Sequence, residues 1–97
     1  MAIDYELLSA LAAKYVWWAS PEEATKRPAR IVAHVMNIGD YDDVQTLAKA
    51  AGDGYLRHVL EHAEAGQFSP RSWAYWHYRL DMTVRGAVPP LPLRRVS

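Results

Sequence analysis

One segment holds the most structural information: Gln67-Phe-Ser-Pro-Arg-Ser-Trp-Ala-Tyr-Trp-His-Tyr-Arg-Leu80. Ser69 is a favourable helix N-cap, because its side chain can accept a hydrogen bond from a free backbone N–H of the first turn. Pro70 suits the first helical position, where its fixed backbone angle fits and no N–H is needed. The segment therefore predicts a helix that begins here and runs to about Asp81.

Both sides of this predicted helix carry large side chains. At 3.6 residues per turn, one side forms a mainly apolar stripe of Trp73, Trp76, His77 and Leu80. The opposite side carries, beside Arg71, the residues Tyr75, Tyr78 and Met82. A helix with large apolar groups on two sides is either central to its domain or half buried by a partner.

Length and charge restrict the classes of function that remain. Ninety-seven residues make one domain, and the 51% share of hydrophobic residues is normal for a globular protein. Eleven basic and eleven acidic side chains give a formal net charge of zero, which argues against a strongly basic nucleic-acid binder. Residues 1–48 nevertheless carry four basic and seven acidic groups, and residues 49–97 carry seven basic and four acidic groups.

The sequence also bears on the compartment. There is no cysteine, which fits a reducing environment and excludes thiol nucleophiles and thiolate metal sites. The N-terminal region contains Asp4 and Glu6 instead of the cationic region of a signal peptide. The apolar run from Leu7 to Trp18 is interrupted by Lys14 and is too short to span a bilayer. We therefore expect a cytoplasmic protein without a membrane segment.

Helical spacing predicts two helices in the first part of the chain. The first is expected over residues 4–18, with Trp17 pointing away from an inner stripe of Leu7, Leu8, Leu11, Tyr15 and Trp18. Ser20 is expected to start only a short turn, because Pro28 would break a longer helix. The second helix is expected from Pro28 to Gly39, since glycine tolerates the left-handed conformation of a helix end.

Two more helices are expected before the aromatic one. Asp40 is predicted to cap the third helix. The fourth is expected from about Gly54 to Ala65, with Gly66 closing it. No alternating strand pattern occurs, so the predicted fold is all-α. We expect a single compact bundle of about five short helices over residues 1–82, followed by an extended tail over residues 83–97 that contains prolines and arginines.

Two clusters bear on metal binding. The run His58-Val-Leu-Glu-His62 matches the H-x-x-E-H pattern of one zinc-peptidase class, and its histidines share one helix face. That class needs a third ligand and a substrate cleft in a far larger protein, so a solvated helix edge is the favoured interpretation. Asp40, Asp42 and Asp43 lack the ligand spacing of an EF-hand loop, and helix capping accounts for them. No metal or other cofactor is predicted.

Two further patterns concern binding and catalysis. Residues 45–63 resemble a helix-turn-helix, but Asp53, His58 and Glu61 fall where packed apolar residues are needed. The run Pro89-Pro-Leu-Pro92-Leu-Arg94 matches a PxxPxR ligand pattern, although proline-rich ends of short domains are more often tethered or disordered tails. No nucleophile–base pair, phosphate loop or complete metal set is recognisable, so the protein is not expected to be an enzyme.

A family resemblance adds to this interpretation. The run Arg30-Ile-Val-Ala-His-Val-Met-Asn-Ile-Gly-Asp-Tyr-Asp-Asp-Val44, followed by Phe68-Ser-Pro-Arg-Ser-Trp-Ala-Tyr-Trp76, resembles a family of small bacterial proteins of unknown function. Members of that family are often encoded beside nucleotidyltransferase toxins of the AbiEii type. The resemblance implies a non-catalytic protein-binding module that serves as the antitoxin or accessory partner of such a toxin. It supplies no functional residue, and gene neighbourhood is an association and not a mechanism.

The residues themselves indicate where a partner would bind. Tyrosine and arginine are enriched at binding hot spots, and the outer side of the aromatic helix carries both. The predicted partner-binding residues are Trp17, Arg71, Tyr75, Tyr78 and Arg79. Two alternatives remain open: a nucleic-acid-binding regulator that uses the C-terminal basic and aromatic residues, and a homodimeric module that buries its second aromatic face against a copy of itself.

Overall fold

The computed structural model describes residues 3–84 and 86–92. Within these residues the chain forms six α-helices and no strand, which confirms the predicted all-α fold. The helices are α1 (Tyr5–Tyr15), α2 (Pro21–Ala24), α3 (Pro28–Ile38), α4 (Tyr41–Ala51), α5 (Asp53–Glu61) and α6 (Pro70–Arg79). The short turn expected after Ser20 is the single-turn helix α2. None of the helices in the described residues is long and apolar enough to cross a membrane.

Side-chain caps start four of the six helices in the described part of the chain. Each cap accepts a hydrogen bond from the backbone N–H three residues later, and so satisfies one donor that the helix leaves unpaired. The capping residues are Asp4, Ser20, Asp40 and Ser69. The start of each of these helices is therefore fixed by its local sequence.

The end of the first helix was predicted wrongly. The helix ends at Tyr15 instead of continuing to Trp18, because Val16 leaves the helical conformation and is itself buried. The next two residues lie in a turn, where Trp17 is 75% exposed and Trp18 is 59% exposed. Trp18 is therefore not part of the inner stripe; its ring lies edge-on to His34 of α3 instead.

The predicted fourth helix, α5, is also shorter than expected. It ends at Glu61 instead of Ala65. The side chain of Gln67 accepts a hydrogen bond from the backbone N–H of Glu64, which stabilises a turn in place of further helix. Gly66 adopts a φ of 85° within this turn, and the chain then buries Phe68. A local hydrogen bond between a side chain and the backbone three residues earlier thus replaces the last helical turn.

The centre of the bundle is α3 and not the aromatic helix. It contacts each of the other five helices of the described chain. Its inward residues are almost fully buried: Ile31, Val32, Ala33, Val35 and Met36. The aromatic helix α6 packs against α3 with one side, formed as predicted by Trp73, Trp76, His77 and Leu80, all of which are buried. Its other side is exposed.

Three hydrogen bonds join α6 to the C-terminal end of α3. The indole Nε1 of Trp76 donates to the backbone oxygen of Met36 at 2.8 Å, and both groups are buried. The hydroxyl of Ser72 donates to the backbone oxygen of Asn37 at 3.0 Å. The side-chain oxygen of Asn37 in turn accepts from the backbone N–H of Ser69 at 3.0 Å. The last carbonyls of α3, which have no partner within the helix, are thereby satisfied by α6.

Gly39 ends α3 as predicted, but for a different reason. Its φ is −64°, so the left-handed conformation expected from the sequence is absent. A side chain at this position would instead meet the backbone oxygen of Val35 at 2.4 Å and a methyl carbon of Val44 at 3.1 Å. The glycine is needed chiefly because the chain leaves α3 with its Cα against the backbone oxygen of Val35, and Val44 of α4 restricts the space further.

We predict that Gly39→Ala lowers the free energy of unfolding by about 1–3 kcal/mol, the usual cost of overpacking. Gly54→Ala is the matched control, because Gly54 lies in α5 with open space around its Cα. That control should be neutral or stabilising by up to about 1 kcal/mol, since alanine is the better helix former. Urea denaturation of both variants measures the difference. An unchanged midpoint for Gly39→Ala would contradict the close contact.

A polar network joins α1 to the start of α4. Lys14 Nζ lies 2.7 Å from Oδ2 of both Asp40 and Asp43. The hydroxyl of Tyr15 donates to Asp43 at 2.6 Å and accepts from the backbone N–H of Asp40 at 3.0 Å. Hydrogen bonds from Lys14 are the main cause that lowers the pKa of both carboxyl groups below their ordinary value. The N-terminal charges of α4 therefore have a structural role.

This network predicts acid lability. Carboxyl groups with a lowered pKa in the folded state contribute stability above their ordinary value of 3.8, and this contribution is lost as the pH falls through the folded-state pKa values. We expect Lys14→Met to have a lower free energy of unfolding at about pH 6 than the unaltered protein. Between about pH 4 and pH 2, the variant should lose less additional stability than the unaltered protein does. Denaturant titrations across this range provide the measurement, with Lys49→Met as the control for removing a helical lysine. The same pH dependence in Lys14→Met and in the unaltered protein would contradict the role given to Lys14.

Candidate partner-binding surface

A groove lies between α4 and α6 on the side away from the core, and we call it the α4–α6 groove. Tyr41 and Gln45 of α4 form one wall, and Arg71 and Tyr75 of α6 form the other. The ring of Trp76 lies at the base of the groove. The groove has a volume of about 340 Å³ and is open to solvent along its length. Its walls therefore combine phenol rings, an amide and a guanidinium group.

Arg79 extends this surface and is held in place by its neighbours. Its two terminal nitrogens donate to the hydroxyl of Tyr75 at 3.1 Å and to the side-chain oxygen of Gln45 at 3.3 Å. Its guanidinium carbon lies 4.8 Å from the centre of the Trp76 ring, a favourable cation–π distance. No ion pair within the described residues includes Arg79 or Arg71. The positive charge is therefore ordered and remains available to a partner.

The structure brings three of the five predicted partner-binding residues together. Arg71, Tyr75 and Arg79 lie at or beside the α4–α6 groove. Tyr78 is half exposed, but its hydroxyl accepts a hydrogen bond from the backbone N–H of Gly86 at 3.1 Å, which directs it towards the segment after α6. Trp17 lies in the turn between α1 and α2, where its ring packs edge-on against Trp18. These two residues lie apart from the groove.

Met82 differs from its expected position. The sequence places it on the outer side of a continuing helix, but α6 ends at Arg79 and Asp81 adopts a left-handed φ of 54°. The backbone N–H of Met82 then donates to the oxygen of His77, and that of Asp81 to the oxygen of Tyr78. This is the Schellman pattern of helix termination, which usually contains glycine at the left-handed position. It returns Met82 to the edge of the core.

Tyr41 and Gln45 line the groove but were not among the partner-binding residues predicted from the sequence. Tyr41 is 77% exposed, the highest value among the large hydrophobic side chains of the described residues. A signal was present, because Tyr41 and Gln45 are spaced four residues apart and both fall outside the apolar stripe of α4. The packing of α4 beside α6, however, had no signal in the local sequence.

The histidine pair on α5 is exposed. The rings of His58 and His62 lie 4.2 Å apart between centres, and Nδ1 of His62 lies 2.9 Å from the backbone oxygen of His58. Within residues 3–84 and 86–92, no group of three or more potential metal ligands comes together. The third ligand that the H-x-x-E-H pattern would need is therefore not found in that part of the chain.

The proline-rich segment lies against the opposite side of α6. The indole Nε1 of Trp73 donates to the backbone oxygen of Pro89 at 2.8 Å. Val88 and Leu91 pack against the edge of the core. Arg94 of the PxxPxR pattern lies outside the described residues. The described prolines therefore contact the domain's own tryptophan, on the side of α6 that is remote from the groove.

Comparison of the chain with protein-family models, with curated proteins and with solved structures finds no match in any of the three. The resemblance to the toxin-associated family stays a prediction.

We predict that Asp81→Gly raises the free energy of unfolding by about 1 kcal/mol, because the left-handed conformation is unfavourable for residues with a Cβ atom. Asp81→Asn should give a smaller gain, since it removes only a negative charge near the C-terminal end of α6. As the converse control, Gly66→Ala should lose about 1 kcal/mol, because Gly66 has the same backbone handedness and nothing near its Cα. Thermal unfolding measures all three. A loss of stability in Asp81→Gly would contradict the assigned helix end.

Proposed function

We propose that this protein is a non-catalytic protein-binding module that acts as the antitoxin or accessory partner of a nucleotidyltransferase toxin. The α4–α6 groove is the observation that supports a protein partner. It presents Tyr41 and Tyr75, which are 77% and 52% exposed, beside two arginines that have no ion-pair partner within the described chain. The nucleotidyltransferase is suggested by the family resemblance alone.

The groove has the physical properties of a binding hot spot. Tyrosine and arginine contribute large contact areas and directional hydrogen bonds, and hot spots are enriched in both. Tyr75 and Arg79 are already fixed by their mutual hydrogen bond and by the edge contact of Tyr75 with Trp76 at 5.3 Å. A partner would therefore lose little side-chain entropy on binding here, which favours affinity.

Net charge favours a protein over a nucleic acid as the main partner. The formal charge of the chain is zero, and strong binding to nucleic acid usually requires many unpaired cations along one face. The groove is lined by Arg71 together with polar and aromatic side chains, and Arg79 lies beside it, hydrogen-bonded to Gln45. This mixture resembles the composition of protein interfaces, which combine aromatic anchors with arginine.

The test is co-expression with the product of the neighbouring gene, with the affinity tag on this protein alone. We expect stoichiometric co-purification, and we expect Tyr75→Ala to weaken the complex by about 2 kcal/mol, or about 30-fold in Kd. Tyr5→Ala is the matched control, because Tyr5 is also helical and 60% exposed but lies on α1. Circular dichroism checks that both variants remain folded.

Other outcomes would redirect the proposal. Equal binding by folded Tyr75→Ala and Tyr5→Ala would exclude the groove as the partner surface. Tyr78→Phe distinguishes the segment after α6 from the groove as the partner surface. It removes the hydrogen bond from the backbone N–H of Gly86 and leaves the Tyr78 ring in place. Salt-sensitive binding of DNA or RNA without co-purification would favour the nucleic-acid-binding alternative. A mass that rises with concentration would favour the homodimer.

A further inference from the structure

A second cavity lies between the α1–α2 turn and the first half of α3, and we call it the α1–α3 cleft. Its volume of about 450 Å³ is within the usual range of small-molecule sites. Its floor is apolar and consists of Val16, Ala24 and Ile31, all of which are buried. Neither these residues nor those of its walls belong to the α4–α6 groove. The cleft is therefore independent of the proposed partner surface.

One wall of the cleft is an exposed indole held at a fixed angle. The ring of Trp18 lies edge-on to His34 at 5.4 Å between centres, with 75° between the planes. Trp17 lies 5.7 Å from the same ring, again nearly perpendicular to it. Trp18 nevertheless remains 59% exposed. Edge contacts orient an aromatic ring while leaving ring surface accessible, so this indole can stack against a flat ligand.

The rim of the cleft carries two arginines at an unusual place. Arg27 and Arg30 stand at the N-terminal end of α3, where the helix dipole makes positive side chains unfavourable. This helix has neither a side-chain cap nor an acidic residue in its first turn, whereas each of the other described helices has at least one of the two. Two cations at the positive end of an uncapped helix cost stability unless an anion binds there.

The acidic groups near this rim do not cancel its charge. Glu23 lines the cleft, but Nζ of the neighbouring Lys26 lies 3.1 Å from its carboxylate and offsets that charge formally, although both side chains are exposed. Arg30 approaches Glu64 at 3.6 Å, and both side chains are about half exposed, so this contact is weak. Burial and the charge of Arg30 lower the pKa of His34 below its ordinary value, which leaves this imidazole neutral at neutral pH. The cleft is therefore net positive at one end and aromatic at the other.

We infer that the α1–α3 cleft binds a nucleotide, with the base stacked on Trp18 and the phosphate held by Arg27 and Arg30. A flat ring with an attached anion is the ligand that uses both parts of the cleft. Arginine binds phosphate through several donors at once, and base stacking on tryptophan tolerates any base. The same chemistry is presented by a free nucleotide and by the phosphorylated end of an RNA strand.

The first test is a titration of the whole protein with AMP, followed by tryptophan fluorescence and by calorimetry. Trp73 and Trp76 are buried, so quenching by a stacked base reports on the exposed pair Trp17 and Trp18. We expect saturable quenching by AMP, with adenosine and inorganic phosphate each binding at least tenfold more weakly. Absence of saturable binding of AMP at millimolar concentration would overturn the inference. Binding of phosphate as tight as that of AMP would overturn the stacking contact.

Variants locate the site. Arg30→Ala and Arg27→Ala should each weaken AMP binding about tenfold or more, because each removes a charge-assisted hydrogen bond to the phosphate. Trp18→Ala should also weaken it about tenfold because the stacking contact is lost, and Trp18→Phe should retain most of the affinity because it keeps an aromatic face. Lys26→Ala is the matched control, because Lys26 is a neighbouring cation that does not line the cleft. Calorimetry measures the affinity of each variant, and circular dichroism shows whether it is folded. If the folded arginine variants bind as the control does, the assigned site is wrong.

A final comparison distinguishes the two sources of the ligand. A short oligoribonucleotide with a 5′-phosphate is titrated beside AMP at two salt concentrations. Equal affinity for both identifies a free nucleotide as the ligand. Tighter, salt-dependent binding of the oligoribonucleotide, lost in Arg30→Ala, identifies an RNA end, since additional phosphate contacts release counterions.

Discussion

The buried hydrogen bond from Trp76 Nε1 to the backbone oxygen of Met36 fixes how α6 lies on the rest of the protein. A buried donor or acceptor without a partner costs about 1–3 kcal/mol, so a rotation of α6 that broke this bond would leave two such groups unpaired. The bond directs the stripe of Trp73, Trp76, His77 and Leu80 into the core. It thereby directs Tyr75 outward and places Arg79 over the Trp76 ring. The α4–α6 groove exists because this single orientation of α6 is enforced.

What the sequence predicted correctly was set by interactions between near neighbours in the chain. The caps at Ser20, Asp40 and Ser69 each act three residues ahead, so their effect can be recognised without any tertiary contact. The buried stripe of α6 follows from helical periodicity in the same way. Helix ends were less predictable, because burial, local side-chain-to-backbone hydrogen bonds and backbone conformation determine them. Val16 leaves the helical conformation of α1 and becomes buried. After α5, the side chain of Gln67 accepts a hydrogen bond from the backbone N–H of Glu64 and stabilises a turn. Asp81 adopts a left-handed conformation that glycine usually occupies.

The candidate surfaces depend on pairings that no local pattern contains. Tyr41 and Tyr75 line one groove although thirty-three positions separate them in the sequence. Arg79 is fixed by Gln45, a residue of another helix. Gly39 permits the close turn from α3 into α4, since a Cβ atom there would meet the backbone oxygen of Val35 and, less severely, the side chain of Val44. The residue types of the outer face of α6 could be read from the sequence, but its counterpart on α4 could not, because helix packing determines it.

The formal net charge of zero does not show which acidic and basic side chains are paired with one another. Asp40 and Asp43 are engaged by Lys14, by Tyr15 and by the start of α4, so these carboxylates are not available to offset arginines elsewhere. Arg71 and Arg79 have no ion-pair partner within the described residues, and Arg27 stands at an uncapped helix end. Although the chain is formally neutral, its described residues therefore present two small, separate cationic sites, each beside an exposed aromatic ring. Such sites are too limited in extent for a long polyanion, which needs many phosphate contacts. The groove suits a protein surface that combines an acidic with an apolar side chain, and the cleft suits a ligand that combines one phosphate with a flat ring.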